Sequence, residues 1–433
     1  MELMEKDKTG FKNTAIGLIP KDWSVLNLGS SSTLKARIGW QGLTTAEYLN
    51  SGDYFLVTGT DFENGFIDWN NCVYVEKERY DQDKYIQLRK GDVLVTKDGT
   101  IGKVAYIDRV PKLTTLNSGV FVIRPKGDAY DPNYFYYVLR SSVFHSFLSK
   151  LSAGSTINHL YQKDFIFFDF PAPPTLEEQK AIATALSDTD TLIAGLEKLI
   201  TKKKAIKQGV MHQLLTPPSK GGKRLPGFSG EWEERPISSI VKKDGLIRGP
   251  FGGALKKECF VNNGYKVYEQ KNAIYKSITL GDYYVDDNKY KELRRFKVEA
   301  NDFILSCSGT IGKMFKIPSD FPEGIINQAL LIIRLDANYN NLDFFFHQFT
   351  SPKIQNKVID DTQGGAMKNL VGMDEFKKAE LPYPPTKEEQ EAIATILYDM
   401  DKEIEALDSK KAKYEQVKQG MVQELLTGKT RLV

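Results

Sequence analysis

The stretch Pro173-Pro174-Thr175-Leu176-Glu177-Glu178-Gln179-Lys180-Ala181-Ile182-Ala183-Thr184 returns 211 residues later. It reads there Pro384-Pro385-Thr386-Lys387-Glu388-Glu389-Gln390-Glu391-Ala392-Ile393-Ala394-Thr395. Each copy reads as a helix start. Two prolines halt a preceding strand, Thr175 or Thr386 is placed to cap, and Glu178 or Glu389 follows at the spacing of a reciprocal capping box. Downstream, Lys207-Gln208-Gly209 through Leu214-Leu215-Thr216 is answered at the same offset by Lys418-Gln419-Gly420 through Leu425-Leu426-Thr427. An internal duplication of this extent sets the architecture before any local assignment does.

Both helices carry one apolar seam with steps alternating between four and three residues. In the first it reads Ile182, Leu186, Thr189, Ile193, Leu196, Ile200, Lys203, Lys207, Val210, Leu214. In the second it reads Ile393, Leu397, Met400, Ile404, Leu407, Lys411, Tyr414, Lys418, Met421, Leu425. This is coiled-coil spacing. A register kept through a duplication predicts that the helices pack on each other, antiparallel, as a rod of roughly 60 Å. Two unrelated surface helices would not need matching seams.

Upstream of each helix the chain follows one plan. A lead-in to Trp23 or Trp232 is followed by a strand-like run, Val25-Leu26-Asn27-Leu28 or Pro236-Ile237-Ser238-Ser239-Ile240. A loop of Arg, Gly and aromatic residues comes next, with Arg37, Trp40 and Gln41 in one copy and Arg248 and Phe251 in the other. Alternating apolar runs predict a sheet, and Asp98-Gly99-Thr100-Ile101-Gly102-Lys103 matches Ser308-Gly309-Thr310-Ile311-Gly312-Lys313. That turn lacks P-loop spacing and reads as a hairpin between Val93–Thr96 and Val104–Ile107. An aromatic-rich core helix and a small, polar loop complete each module. The expected fold is α+β: two globular mixed α/β domains separated by two long helices in an antiparallel coiled coil, with a pseudo-two-fold internal repeat. The expected segments are 1–172, 173–216 for the central helix, 217–383, and 384–433 for the C-terminal helix and tail. The tail Leu425–Leu432 resembles the start of the mid-chain linker, which predicts a circular arrangement with the termini close.

The 433 residues allow two or three domains, and 41% hydrophobic with 27% charged residues is ordinary globular composition. Net charge is only +3, yet residues 198–230 contain no Asp or Glu and carry Lys202, Lys203, Lys204, Lys220, Lys223 and Arg224. A solvated linker face is the plain reading of such a run. Three cysteines and four histidines lack metal spacing, which predicts no metal site and a reducing cytoplasm. No stretch approaches a membrane span, and the first residues lack an apolar leader, so no membrane partner is expected.

Two unlike modules, each followed by a near-identical helix opening Pro-Pro-x-x-Glu-Glu-Gln, resemble the specificity subunit (HsdS type) of Type I restriction–modification systems. The resemblance covers essentially the whole chain and includes Ile19-Pro20-Lys21-Asp22-Trp23 and both Gly-Thr-Ile-Gly-Lys turns. It implies a non-catalytic reader of double-stranded DNA, each module taking one half of a split target in the major groove. It also implies helices that set the unread spacer and dock two modification (methyltransferase) subunits, which restriction subunits join. The cofactor, S-adenosylmethionine, would be held by those partners and none by this chain.

The residues agree. Asn-Pro-Pro-Tyr, Walker and Gly-x-Gly-x-x-Gly motifs are absent, and the nuclease-like Glu178-Gln179-Lys180 becomes Glu389-Gln390-Glu391 in the copy. An active site would not lose its Lys inside a preserved helix start.

Candidate base contacts, by fork, amide or stacking chemistry, are Arg37, Trp40, Gln41, Thr60, Asp61, Arg248, Phe251, Gln270, Lys271 and Asn272. Thr156, Asn158, His159, Gln363, Lys368 and Asn369 on the polar loops join them. The basic run Lys202, Lys203, Lys204, Lys220, Lys223 and Arg224 is the candidate phosphate surface. A competing reading is a protein-binding scaffold or DNA-mimic assembly factor of the same architecture. It predicts no salt-dependent DNA affinity in the assembled complex. An enzyme with a divergent site is disfavoured by the lack of paired acids or a nucleophile–base pair in either half.

Overall fold

The structure, a computed structural model, describes residues 10–152, 159–360 and 369–432. The chain separates into two compact units, residues 1–197 with 409–433 and residues 198–408. Each unit thus draws on both repeats, taking half of each long helix.

In the first unit the strands are β1 (Ser32–Lys35), β2 (Tyr54–Val57), β3 (Val73–Val75), β4 (Val93–Thr96), β5 (Val104–Tyr106), β6 (Leu113–Leu116) and β7 (Val120–Pro125). They lead to helix α1 (Pro132–Leu139) and the long α2 (Leu176–Leu214). An antiparallel sheet has the order β5-β4-β7-β1, and a second sheet, β6-β2-β3, pairs β6 parallel to β2.

The second unit repeats this with β8 (Val241–Arg248), β9 (Tyr265–Tyr268), β10 (Tyr284–Val285), β11 (Phe303–Ser306), β12 (Met314–Lys316), β13 (Gly324–Ile326) and β14 (Leu330–Leu335). Helices α3 (Leu342–Thr350) and α4 (Lys387–Leu425) follow. Its sheets run β8-β14-β11-β12 and β10-β9-β13, again with one parallel pair, β9 and β13. The α+β expectation with an internal repeat holds.

Strand alternation explains the layering. On β7, Phe121 and Ile123 enter the cluster beneath the aromatic helix, while Val120 and Val122 enter a second cluster with Phe55, Val57 and Leu116. Successive side chains point to opposite faces, so a central strand buried on both sides reads as an unbroken apolar run. On β14, Leu331 and Ile333 face one cluster and Leu330 and Ile332 the other. The aromatic residues Tyr134–Tyr137 of α1 are buried as core.

The glycine turns are hairpins, with Val104 opposite Val95 and Met314 opposite Leu305. Thr96 Oγ1 donates to the Thr100 carbonyl at 2.5 Å and Ser306 Oγ to that of Thr310 at 2.6 Å. Gly102 and Gly312 sit at φ +79° and +78°, which disfavours any other residue.

The strand preceding each Pro-Pro pairs antiparallel with the strand after each Trp, Asp169–Ala172 with Ser24–Asn27 and Glu380–Tyr383 with Glu233–Pro236. One expectation is corrected here. Ile237–Ile240 is a short helix, not a strand. Pro236 has no N–H to extend the ladder, and helical spacing lets Ile237 and Ile240 both bury.

Helices α2 and α4 are 39 residues each and pack antiparallel, the partner number falling as the other rises. In the first unit Lys418 pairs with Asp190, and Lys411 meets Glu197 at 2.8 Å. In the second, Lys207 pairs with Asp401 and Lys203 meets Glu403 at 2.6 Å. The seam residues Ile182, Leu186, Leu196, Ile200, Leu214, Ile393, Leu397, Ile404 and Leu425 are buried. Ile193, Val210, Met400, Leu407, Tyr414 and Met421 are half-buried.

The repeated motif ties each sheet module to its helix. Gln179 Oε1 accepts the Asp131 N–H at 2.8 Å while its amide donates to the Pro173 carbonyl at 3.1 Å. Gln390 Oε1 accepts the Asn341 N–H at 2.9 Å. Asp131 and Asn341 cap the aromatic helices, so one glutamine bolts two helix starts together. The caps Thr175 and Thr386 each accept an N–H at 3.2 Å, from Glu178 and Glu389. The return half of the expected capping box is absent, because both carboxylates accept from arginine instead. Glu389 is held by Arg224 at 2.7 Å, and Glu178 by Arg431, which also reaches Asp22 at 2.9 Å. Charge-assisted bonds outcompete a single cap N–H. The Arg431–Asp22 pair brings the lead-in and the C-terminal tail together, as the circular reading expects.

His347 on α3 is 3% exposed, and burial with the nearby Lys207 charge lowers its pKa to about 4. The fold therefore holds it neutral while the unfolded chain takes up a proton below about pH 6.5. Stability is unaffected above that pH and falls as pH drops from about 6.5 to 4, by about 2 kcal/mol at pH 5. Comparing urea midpoints of wild type and His347→Gln at pH 7.5 and 5 tests this; the variant should lose less on acidification.

Candidate nucleic-acid interface

Four loops meet at one edge of the first unit, where β2, β4 and β6 end and β7 begins. Lys97 N–H reaches the Gly119 carbonyl at 2.9 Å, Asn117 N–H the Val57 carbonyl at 3.0 Å, and Leu160 N–H the Lys97 carbonyl at 2.8 Å. The Asn117 side chain clasps both backbone groups of Leu43, at 3.1 and 3.2 Å, which pulls in the loop carrying Gln41.

The second unit builds the same edge. Asn327 N–H donates to the Tyr268 carbonyl at 2.9 Å, Cys307 N–H to that of Ala329 at 2.8 Å, and Gly249 N–H to that of Leu330 at 3.0 Å. A side chain at Gly249 would fall 1.9 Å from the Asn327 carbonyl oxygen, so only glycine lets the Arg248 loop close onto this turn. Backbone bonds fix the loops, and the side chains they leave outside differ between the units.

The structure divides the sequence candidates. Arg37 is corrected to a scaffold role, being 1% exposed. Its donors reach the Leu116 carbonyl at 2.8 Å, Gln82 Oε1 at 2.8 Å, the Arg79 carbonyl at 3.0 Å and Thr115 Oγ1 at 3.1 Å. Asp61 and Asn272 are likewise buried caps. Asp61 accepts the Thr58 N–H at 2.7 Å and Asn272 that of Glu269 at 2.7 Å, while Asn272 also donates to the Ser277 and Leu280 carbonyls. Burial pushes the Asp61 carboxyl pKa up.

Between these caps and the strands before them lie Thr60, exposed, and in the copy Gln270 and Lys271, both half-buried. Lys271 meets Glu269 at 3.1 Å, and the Gln270 amide lies against the Gly309 turn with Nε2 buried and unpartnered. Arg248 is half-buried beside Cys307, whose thiol burial pushes up to about 12 with Arg248 pulling the other way. Phe251 is 81% exposed, far beyond what a core plug would show. Gln41 is half-buried, and Trp40 lies in the 3-10 turn Gly39–Gln41. His159 pairs with Asp98 and lies 4.5 Å from the Tyr161 ring. Asn369 lies in the strand Asn369–Leu370; Thr156, Asn158, Gln363 and Lys368 fall outside the described residues.

The basic run is partly ion-paired within its own unit. Lys203 and Lys204 pair with Glu403 and Asp408 across the helix seam, Lys220 pairs with Glu234 at 2.5 Å, and Arg224 is held by Glu389. Lys203 and Arg224, both half-buried, are corrected to structural ion pairs; Lys202, Lys204, Lys220 and Lys223 are exposed and remain candidate phosphate contacts.

The sequence candidates left out the pair Asn117-Ser118 and its counterpart Asn327-Gln328, whose backbone bonds to Val57 and Tyr268 tie two strands together at each edge. Their repeat spacing, once the strands are aligned, is the signal that could have found them. The sequence candidates also left out Tyr161, 54% exposed. Among the described residues no His, Cys, Asp and Glu group could hold a metal, and no helix is long and apolar enough to cross a membrane.

Comparison with known proteins is consistent with this geometry. The family described as Type I restriction modification DNA specificity domain matches twice, over residues 20–208 and 229–418. The putative type I restriction enzyme MjaX specificity subunit of Methanocaldococcus jannaschii is 28% identical over 436 residues, covering 98% of this chain and 97% of that protein. The EcoKI specificity subunit of Escherichia coli K12 is 22% identical over 402 residues, covering 88% and 82%. The crystal structure of a Type I S subunit from M. genitalium superposes with a TM-score of 0.58 at 16% identity, covering 93% of this chain and 96% of that one.

Proposed function

Because the chain belongs to the Type I restriction modification DNA specificity family, we propose that its two edges are the reading surfaces for the two halves of a split DNA target. It is a DNA sequence-specificity subunit, and methylation and cleavage lie with other subunits of such a system. The reading rests above all on one observation: the same backbone scaffold, built twice, presents unlike side chains at equivalent slots. A symmetric target would call for like residues there.

In this reading each edge enters the major groove, with Arg248 offering a guanidinium fork to guanine, Gln41, Thr60, Gln270 and Lys271 offering polar groups, and Trp40 and Phe251 offering aromatic faces. By their polar chemistry Thr156, Asn158, His159, Gln363, Lys368 and Asn369 are further base contacts in this reading, while Lys202, Lys204, Lys220 and Lys223 meet phosphates. Helices α2 and α4 set the unread spacer and dock two methyltransferase subunits, to which restriction subunits add. Those partners hold S-adenosylmethionine, and the complex works in the cytoplasm.

Co-expression with the partner subunits and genome-wide mapping of N6-methyladenine tests the proposal. The expected result is a two-part motif with one methylated adenine on each strand; a continuous motif, or none, overturns it. Arg248→Ala should relax one position of one half by about 1–3 kcal/mol. An equal loss on all DNA would assign Arg248 to the backbone.

A further inference from the structure

Each edge contains one slot where an asparagine backbone N–H makes a matching bond to a neighbouring strand end, and the residue after it differs between the units. In the first unit Asn117 turns its side chain inward, donating also to the Tyr48 hydroxyl at 2.8 Å, and Ser118 follows, half-buried. In the second, Asn327 Oδ1 accepts the Ala329 N–H at 3.0 Å, and Gln328 follows, exposed. The Asn117 and Asn327 N–H groups reach the ends of equivalent strands, donating to the carbonyls of Val57 on β2 and Tyr268 on β9. The slot therefore places its outward residue, in the second unit, on a short turn between β13 and β14 that is held by bonds from Asn327, Ala329 and Leu330.

We propose that Gln328 is a specificity-determining residue that reads an adenine in the half-site taken by the second unit. The claim rests on the DNA-reading function above. A carboxamide matches an adenine's major-groove edge, its oxygen accepting from N6–H and its NH2 donating to N7. Gln328 lies among the residues such a contact needs around it. Its Cα is 3.0 Å from where a Cβ on Gly249 would stand, so it lies against the backbone of the loop that carries Arg248. Asn327, bonded to Tyr268, places it beside the turn carrying Gln270. Presentation from a bonded turn removes the backbone part of the ordering cost, leaving only the side chain to be fixed at the base contact. Ser118 in the same slot of the first unit is too short for the two-point contact, so the two half-sites are read differently at this position.

The test uses the complete complex with its methyltransferase subunits and duplexes in which each target base pair is replaced in turn. Gln328→Ala should lose roughly 10- to 100-fold discrimination at one A·T pair. That pair should lie in the half-site that Arg248→Ala also affects, and the other half-site should be unchanged. Gln328→Glu, which keeps the side-chain length but loses the amide donor, should lose the same preference, and equal melting temperatures would show that both variants fold. Full discrimination retained at every position, relaxation at a G·C pair, or a uniform loss on all sequences would overturn the assignment of Gln328 while leaving the specificity function standing. A wild-type complex that methylates no split sequence would instead sink the function itself, and this proposal with it.

Discussion

Arg334→Ala should cost the second unit about 3–5 kcal/mol, among the largest losses any single side chain here can cause. Arg334 holds Asp302 by a two-point fork, Nε to Oδ1 at 2.8 Å and Nη2 to Oδ2 at 2.7 Å, and Asp302 is 1% exposed. Burial already raises the Asp302 pKa, with Arg334 pulling the other way. Without the guanidinium a carboxylate is left in the interior with the Glu299 N–H, at 2.7 Å, as its remaining bond. A raised folded pKa means stability is greatest below the unfolded value and falls as pH rises through the folded one, so the variant's deficit should shrink in acid. Denaturant unfolding of Arg334→Ala, and of a double variant with Asp302 also made apolar, checks this. The double variant should recover much of the loss; equal instability of both would show that packing, not stranded charge, dominates.

Arg431→Ala should cost the first unit a similar amount, about 3–5 kcal/mol, less whatever water recovers at the partly exposed arginine. Arg431 bridges the buried Glu178 and the exposed Asp22, and its neighbour Leu432 packs on the core that contains Trp23. Its guanidinium sits over the Trp23 ring, 5.8 Å from the centroid. Glu178 opens α2, so losing its partner leaves a buried carboxylate at a helix start, where only the backbone dipole favours it. Arg224→Ala should produce a related but smaller defect in the second unit, because the Trp232 indole N–H still donates to Glu389 at 3.2 Å. Thermal unfolding followed by hydrogen exchange in α1 and α3 separates the two, each variant loosening its own unit.

The repeat, the hairpins and the seam were legible because each is a periodicity, and periodicity survives without knowledge of partners. Side-chain direction is not periodic in loops. Arg37 stands beside glycine and an aromatic just as Arg248 does, yet one is enclosed by Gln82 and Arg79 while the other is half-buried at the strand end. Nothing local separates them, since the enclosing residues lie over 40 positions away along the chain. Asp61 and Asn272 were more readable, because Thr58-x-x-Asp61 has the spacing of a cap. The ion pairing of the basic run was hidden for a long-range reason: the carboxylates that pair with Lys203 and Lys204 lie about 200 residues downstream on the other helix. A charge count over a window cannot see across a seam.

The assembly of the first unit from both ends of the chain also bears on how it is made. Ribosomes usually release amino-terminal domains to fold while the rest is still being translated. Here Leu425, Leu426 and Leu432 belong to the same apolar cluster as Ile19 and Trp23. The earliest-made unit must therefore wait, with part of its core uncovered, until residues 425–432 have emerged, whereas the unit of residues 198–408 can close before it.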